Sequence, residues 1–233
     1  MTVWQKITGL AGAAGDAGGG LLGDLAHVFG LERNGGEPEK DIAFTIGVIA
    51  LSAKMAKADG VVSPLEVAAF KQVFRTSPAE AGNVQRIYNL AKQDVAGYEA
   101  YADQIAALLE GDKKLRQDVL EGLLHVATAD GVLHPKEDEF LADVARRFGF
   151  SPSEFRFFRA RFVKDNGNPY DVLRLGPDAT SSEIKAQYRK LVVDNHPDKM
   201  MGRGVPAEFV AIATRKLAAL NAAYDTIAKE RGL

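Results

Sequence analysis

From about residue 40 to residue 164 the apolar positions recur at helical spacing. The pattern predicts helices near 78–93, 97–110 and 112–129 and a last one near 152–164, within a bundle of about seven. A short amphipathic stretch, Pro169–Leu175, then presents Tyr170, Val172, Leu173 and Leu175. In the helix that follows, Ile184, Tyr188, Leu191 and Val192 fall at i, i+4, i+7 and i+8, which makes one buried face. A second long helix starts near Pro206, with Phe209, Ala213, Leu217, Leu220, Tyr224 and Ile227 available for its apolar side. The predicted fold is all-α: a helical bundle followed by a helical hairpin with a mobile loop at its tip.

Helix starts carry a recurring signature: Ser63-Pro64-Leu65-Glu66, Ser77-Pro78-Ala79-Glu80, His134-Pro135-Lys136-Glu137 and Ser151-Pro152-Ser153-Glu154. In the three serine cases the hydroxyl accepts an orphan N–H, the glutamate reaches back, and proline has no N–H to leave unpaired. His134 is a weaker cap. Thr180 and Glu183 repeat the box before the hairpin's first helix. "KMAKADGVVSPLEVAAF" (54–70) matches "HVATADGVLHPKEDEF" (125–140), so the bundle holds an internal repeat. Gly60 and Gly131 suit the left-handed position that closes a helix before the next one begins.

Residues 164–173, "KDNGNPYDVL", break the pattern with a turn cluster, Asn166 to Pro169. This puts a domain boundary between 37–165 and 166–233. Residues 1–36 stand apart, with 10 of the 23 glycines. Their uncharged runs fall short of the roughly 18–20 apolar residues a spanning helix needs. Gly15, Gly19 and Gly23 give small-xxx-small spacings that suit close helix approach. The expectation is a flexible or weakly helical arm, with membrane contact or self-association as the alternative.

The formal charge of −2 gives no electrostatic case for nucleic acid or for broad binding to anionic lipid. The chain has no cysteine, which excludes disulfides, zinc-thiolate sites and thiol catalysis. The opening residues lack a basic n-region followed by an apolar run and a small-residue cleavage site, so export by a signal peptide is not expected. No Gly-rich phosphate loop ending in Lys-Ser/Thr is seen, and no cofactor is implied.

Pro197 ends the hairpin's first helix and pushes His196 out of helical geometry. His196-Pro197-Asp198 thus sits at the hairpin's tip. A catalytic triad needs a nucleophile and an oriented base, and a metal site needs more ligands; the loop offers neither. Lys185, Arg189 and Lys190 project from another face of the same helix, which by itself describes a solvated surface.

"NPYDVLRLGPDATSSEIKAQYRKLVVDNHPDK…RKLAALNAAYDTI" resembles the J-domain of DnaJ-type co-chaperones over residues 168 to about 228. The match includes Tyr170, Leu173, Glu183, Ile184, Tyr188, Arg189, Lys190 and Leu191, the His196-Pro197-Asp198 tripeptide, and Leu217, Leu220, Asn221, Ala223, Tyr224 and Ile227. The resemblance implies that the tripeptide and the basic residues Lys185, Arg189 and Lys190 dock on a DnaK-type chaperone. Docking would stimulate that partner's ATP hydrolysis, with no catalysis by this chain.

The doubled Ala-Asp-Gly-Val…Pro-x-Glu signature resembles the TerB-like helical domain, named for tellurite resistance. Its place before a J-domain is similar to DjlA-like co-chaperones, whose opening also resembles "VWQKITG" (3–9). In the best-known members of that family a Gly-rich segment there spans the inner membrane, and Asp16 and Asp24 interrupt the corresponding run here. The expected place is the cytoplasm, with the inner membrane's cytoplasmic face as the alternative. Asp59, Glu66, Asp130 and Glu137 are weak metal candidates, since their spacing is not that of an EF-hand and Glu66 and Glu137 have capping work. Two roles stay open for the bundle: selecting a client or location, or acting as a stress-response or metal-linked sensor.

Overall fold

Residues Lys40–Asp59 form α1, a helix wrapped by the rest of the bundle along its described middle. Val48, Ile49, Ala50, Leu51 and Ala53 are all out of contact with water. Even Lys54 is buried, its ammonium 4.5 Å above the ring of Tyr101. A helix buried on all sides has no polar stripe, which is why its sequence reads as nearly continuous small and aliphatic residues. The computed structural model describes residues 40–59, 88–89, 97–163, 168–205 and 210–233.

Among the described residues α2 (Tyr98–Leu108), α3 (Lys113–Ala127) and α4 (Pro135–Arg147) pack on α1, and α5 (Pro152–Arg159) packs on α3 and α4. The sequence explains their starts. The Ser151 hydroxyl accepts from the Glu154 N–H at 3.2 Å, and the Glu154 carboxylate accepts from the Ser151 N–H at 2.8 Å. Glu137 accepts from the His134 N–H at 3.1 Å in the same way. Asp112 caps α3 by accepting from the Leu115 N–H. Gly131 has φ +94°, the left-handed conformation expected for the turn between α3 and α4. The other repeat copy, from Gly60 through Glu66, lies outside the described residues, as do Ser77–Glu80 and most of the helix expected near 78–93.

The C-terminal part adds α6 (Pro169–Val172), α7 (Ser181–Asp194), α8 (Pro197–Met201) and α9 (Val210–Arg231). Among the described residues there are nine helices and no strand, so the chain is all-α as expected. One apolar cluster belongs to α6, α7 and α9 and includes Tyr170, Leu173, Ile184, Leu191, Leu220, Ala223 and Ile227.

The other cluster is not confined to the bundle. Met200, Val205, Ile212 and Ala213 join Val119, Leu123, Phe140 and Phe158 in a single buried core. A methyl on Gly122 would lie 3.3 Å from Val48 and 3.6 Å from Ile212, so glycine lets α1, α3 and α9 crowd together. The hairpin is therefore seated along one edge in the bundle.

Candidate partner-docking site

Helix α7 carries the basic face. Thr180 and Glu183 cap its start reciprocally: the Thr180 N–H donates to Glu183 at 2.7 Å and the Glu183 N–H to the Thr180 hydroxyl at 3.3 Å. These hydrogen bonds hold the Glu183 carboxyl below its ordinary pKa. Ile184 and Leu191 are buried against α9, and Tyr188 stacks on Tyr224 with centroids 4.2 Å apart. The Tyr188 hydroxyl donates to Asn221 at 2.9 Å. With that face spent on packing, Arg189 and Lys190 are exposed and Lys185 is half-buried. None of the three makes an ion pair among the described residues.

At the end of α7, the Asn195 amide donates to the Leu191 carbonyl at 2.7 Å and closes the last turn. His196 has φ −65° and ψ 138°, the extended geometry expected before proline. Its Nδ1 accepts from the Asp198 N–H at 3.3 Å. The His196 and Asp198 side chains are 55% and 79% exposed, with Nδ1 of the one 3.6 Å from Oδ2 of the other. Val193 and Met201 stand exposed beside them. The tripeptide thus follows directly on the helix that carries the basic residues, with Arg189 and Lys190 in its second half and Lys185 nearer its start.

The loop differs from expectation. Residues 199–205 read as a mobile connection, but Pro197–Met201 forms the helix α8. The Gly202, Arg203 and Gly204 N–H groups then close turns onto Asp198, Met200 and Met201. Met200 and Val205 are buried in the bundle core, which holds the inner side of the loop while His196 and Asp198 face out. The helix expected from Pro206, with Phe209, lies outside the described residues up to Val210.

A charged cluster lines the seam between bundle and hairpin. Asp118, Glu121, Arg161 and Lys216 have side chains with no exposure. Arg161 donates to Glu121 at 3.0 Å, and Lys216 pairs with Glu121 as well. Lys216 and Lys114 each lie 3.5 Å from Asp118. Burial alone would push the Glu121 carboxyl up. Lys216, Lys114 and Arg161 more than offset that and hold it well below the usual carboxylate range. Burial pushes Arg161 down to about 10 and Lys114 down to about 8. Arg215 donates to the carbonyls of His125, Thr128 and Phe162 at 3.4, 3.2 and 2.9 Å, tying α9 to the ends of α3 and α5.

His125 sits at the same seam. Burial, then the Arg215 charge, push its pKa from 6.5 down to about 4. An unfolded imidazole binds a proton below 6.5 and the folded one only near 4. Between those values the unfolded state holds more protons, so stability falls as pH is lowered through that window, by about 3 kcal/mol at most. Urea midpoints at about pH 7 and about pH 5 should diverge in the parent and converge in His125→Gln. Equal slopes for both proteins would remove His125 as the cause.

Of the metal candidates, Asp130 and Glu137 are the two whose side chains are among the described residues. Asp130 accepts from the Val132 N–H at 2.9 Å, and buried Glu137 caps α4. Asp59 ends α1, and Glu66 lies outside the described residues. Among the described residues no three His, Asp or Glu side chains converge on a metal position.

The family model for "Tellurite resistance protein TerB" matches residues 45–160, and that for the "DnaJ domain" matches 168–231. The "Co-chaperone protein DjlA" of Photobacterium profundum is 31% identical over 242 residues, covering 92% of this chain and 85% of the relative. The chain belongs to the DjlA family of co-chaperones. The DjlA of Salmonella typhimurium is 26% identical over 100% of this chain and 99% of its own. That of Coxiella burnetii is 30% identical over 77% and 74%. No solved structure matches. A J-domain co-chaperone has a DnaK-type chaperone as its partner, and such proteins regulate rather than catalyse. No helix among the described residues is long and apolar enough to cross a membrane.

The seam residues Asp118, Glu121, Arg161, Arg203 and Lys216 escaped the sequence reading. Lys216 held a usable signal: it stands three residues after Ala213 and four before Leu220, inside the apolar stripe of α9. A lysine in such a stripe needs a buried acid opposite it.

Proposed function

We propose that the His196-Pro197-Asp198 tip and the basic face of Lys185, Arg189 and Lys190 dock on a DnaK-type chaperone and stimulate its ATP hydrolysis. Exposed His196 and Asp198 at the end of a helix whose three cations make no ion pair among the described residues are the observation that carries this reading. The cations would meet an acidic partner surface, steering encounter and making binding salt-sensitive. Pro197 fixes the backbone so that His196 leaves the helix, and Asp198 presents a carboxylate to a cationic group of the partner. Phosphate chemistry stays in the chaperone, and this chain supplies no catalytic group. On this reading residues 37–165 form the TerB-like unit that selects a client or a location, residues 166–233 the J-domain, and the work is done in the cytoplasm.

The test titrates the chain against a DnaK-type ATPase at several salt concentrations. Replacing both Arg189 and Lys190 with glutamate should raise the half-maximal concentration at least about tenfold and flatten its salt dependence. An unchanged titration would contradict the proposed docking face.

A further inference from the structure

We infer that the TerB-like bundle presets the His-Pro-Asp loop, with Arg203 and Asp118 as positioning residues for chaperone docking. This rests on the reading of the tripeptide as the docking tip. Arg203 is the connecting side chain. Its Nε and second terminal nitrogen donate to one oxygen of Asp118 at 3.2 and 2.9 Å. Its remaining nitrogen donates to the Asp194 carbonyl at 3.3 Å. Asp194 ends α7 two residues before His196, so this fork joins the base of the loop directly to α3 of the bundle.

Asp118 is rigidly placed: its side chain has no exposure, and Lys114 and Lys216 face its other oxygen at 3.5 Å. The Arg203 side chain is 21% exposed. A second anchor comes from Met200, 2% exposed in the bundle core. The Met200 N–H donates to the His196 carbonyl at 3.1 Å, so the buried methionine and the exposed histidine belong to one turn. Val205 adds the third anchor, its N–H donating to Met200 at 3.1 Å. The loop is therefore gripped at Met200, Arg203 and Val205 while His196 and Asp198 face out.

A loop already in its bound shape need not be ordered on docking. If only a fraction of the loops is competent, apparent affinity drops by that fraction and the plateau of stimulation does not. That split separates positioning from direct contact. His196 would set the plateau; Arg203 and Asp118 would set the concentration needed to reach it.

The test uses the full chain and Arg203→Gln, whose partly exposed site tolerates the change, with Asp118→Asn as the second arm. Amide exchange is followed at Met200 and Gly202 in the loop and at Ile184 in α7 as internal control. Arg203→Gln should speed exchange at the two loop amides about tenfold and leave Ile184 unchanged. The half-maximal concentration for ATPase stimulation should rise about fivefold at an unchanged plateau. The double variant should go no further than Asp118→Asn alone, since losing the Asp118 charge already removes the Arg203 contact together with those to Lys114 and Lys216. Loop exchange at the parent rate, or a rise at Ile184 equal to that in the loop, would overturn the inference. If the parent itself stimulates no DnaK-type ATPase, the docking reading falls while the exchange result still decides whether the bundle holds the loop.

Discussion

Glu121→Gln should destabilise the chain by about 3–5 kcal/mol, the range for breaking a buried ion pair from one side. Arg161 and Lys216 both lose their carboxylate partner, and neither has side-chain exposure to water. Glutamine keeps the shape and can still accept one hydrogen bond, but it leaves two buried cations, Lys216 with Asp118 at 3.5 Å and Arg161 with the neutral Val172 carbonyl at 3.3 Å. The Gln117 amide, which donates to Glu121 at 2.8 Å, loses the same acceptor charge. Lys216→Met should cost far less, because it removes one cation and leaves Glu121 paired with Arg161 at 3.0 Å. Urea unfolding of both variants reads the difference directly. Equal losses would mean that the seam's stability comes from its apolar contacts, with the charges incidental.

This asymmetry also explains what could and could not be read from the chain. Local rules were legible because their causes are local. Ser151 with Glu154 and Thr180 with Glu183 need only three residues of spacing to satisfy the first orphan N–H groups of a helix. Gly131 needs only a left-handed turn. His196 is extended because Pro197 follows it. The tripeptide and the basic face were visible for the same reason, since both lie on one helix and its end. The seam was not legible. Asp118 and Glu121 lie 85 and 95 residues from Arg203 and Lys216, and periodicity places charged residues on the solvated side. Only the docking of α9 against α3 turns them inward. Met200 shows the same limit: among Lys199, Gly202 and Arg203 it reads as loop, yet it is buried in the core of the other domain.

His196→Gln is expected to abolish ATPase stimulation while leaving the fold intact. The side chain is 55% exposed, and among the described residues its hydrogen bond to backbone is the 3.3 Å one from the Asp198 N–H. Losing a contact of that kind costs at most about 1 kcal/mol, which leaves the hairpin and its buried anchors in place. A general base would also be lost in this variant. That enzymatic alternative is separated by the chain's own behaviour, because an enzyme would turn over substrate without a chaperone present. On the docking account the chain does nothing to ATP alone.

The most direct measurement is therefore single-turnover ATP hydrolysis by a DnaK-type chaperone with no addition, with the parent chain and with His196→Gln. Circular dichroism and the urea midpoint of each protein serve as controls for folding. The account predicts marked acceleration by the parent, the chaperone's basal rate with the variant, and matching folding controls. A folded His196→Gln variant that accelerates hydrolysis as the parent does would contradict it.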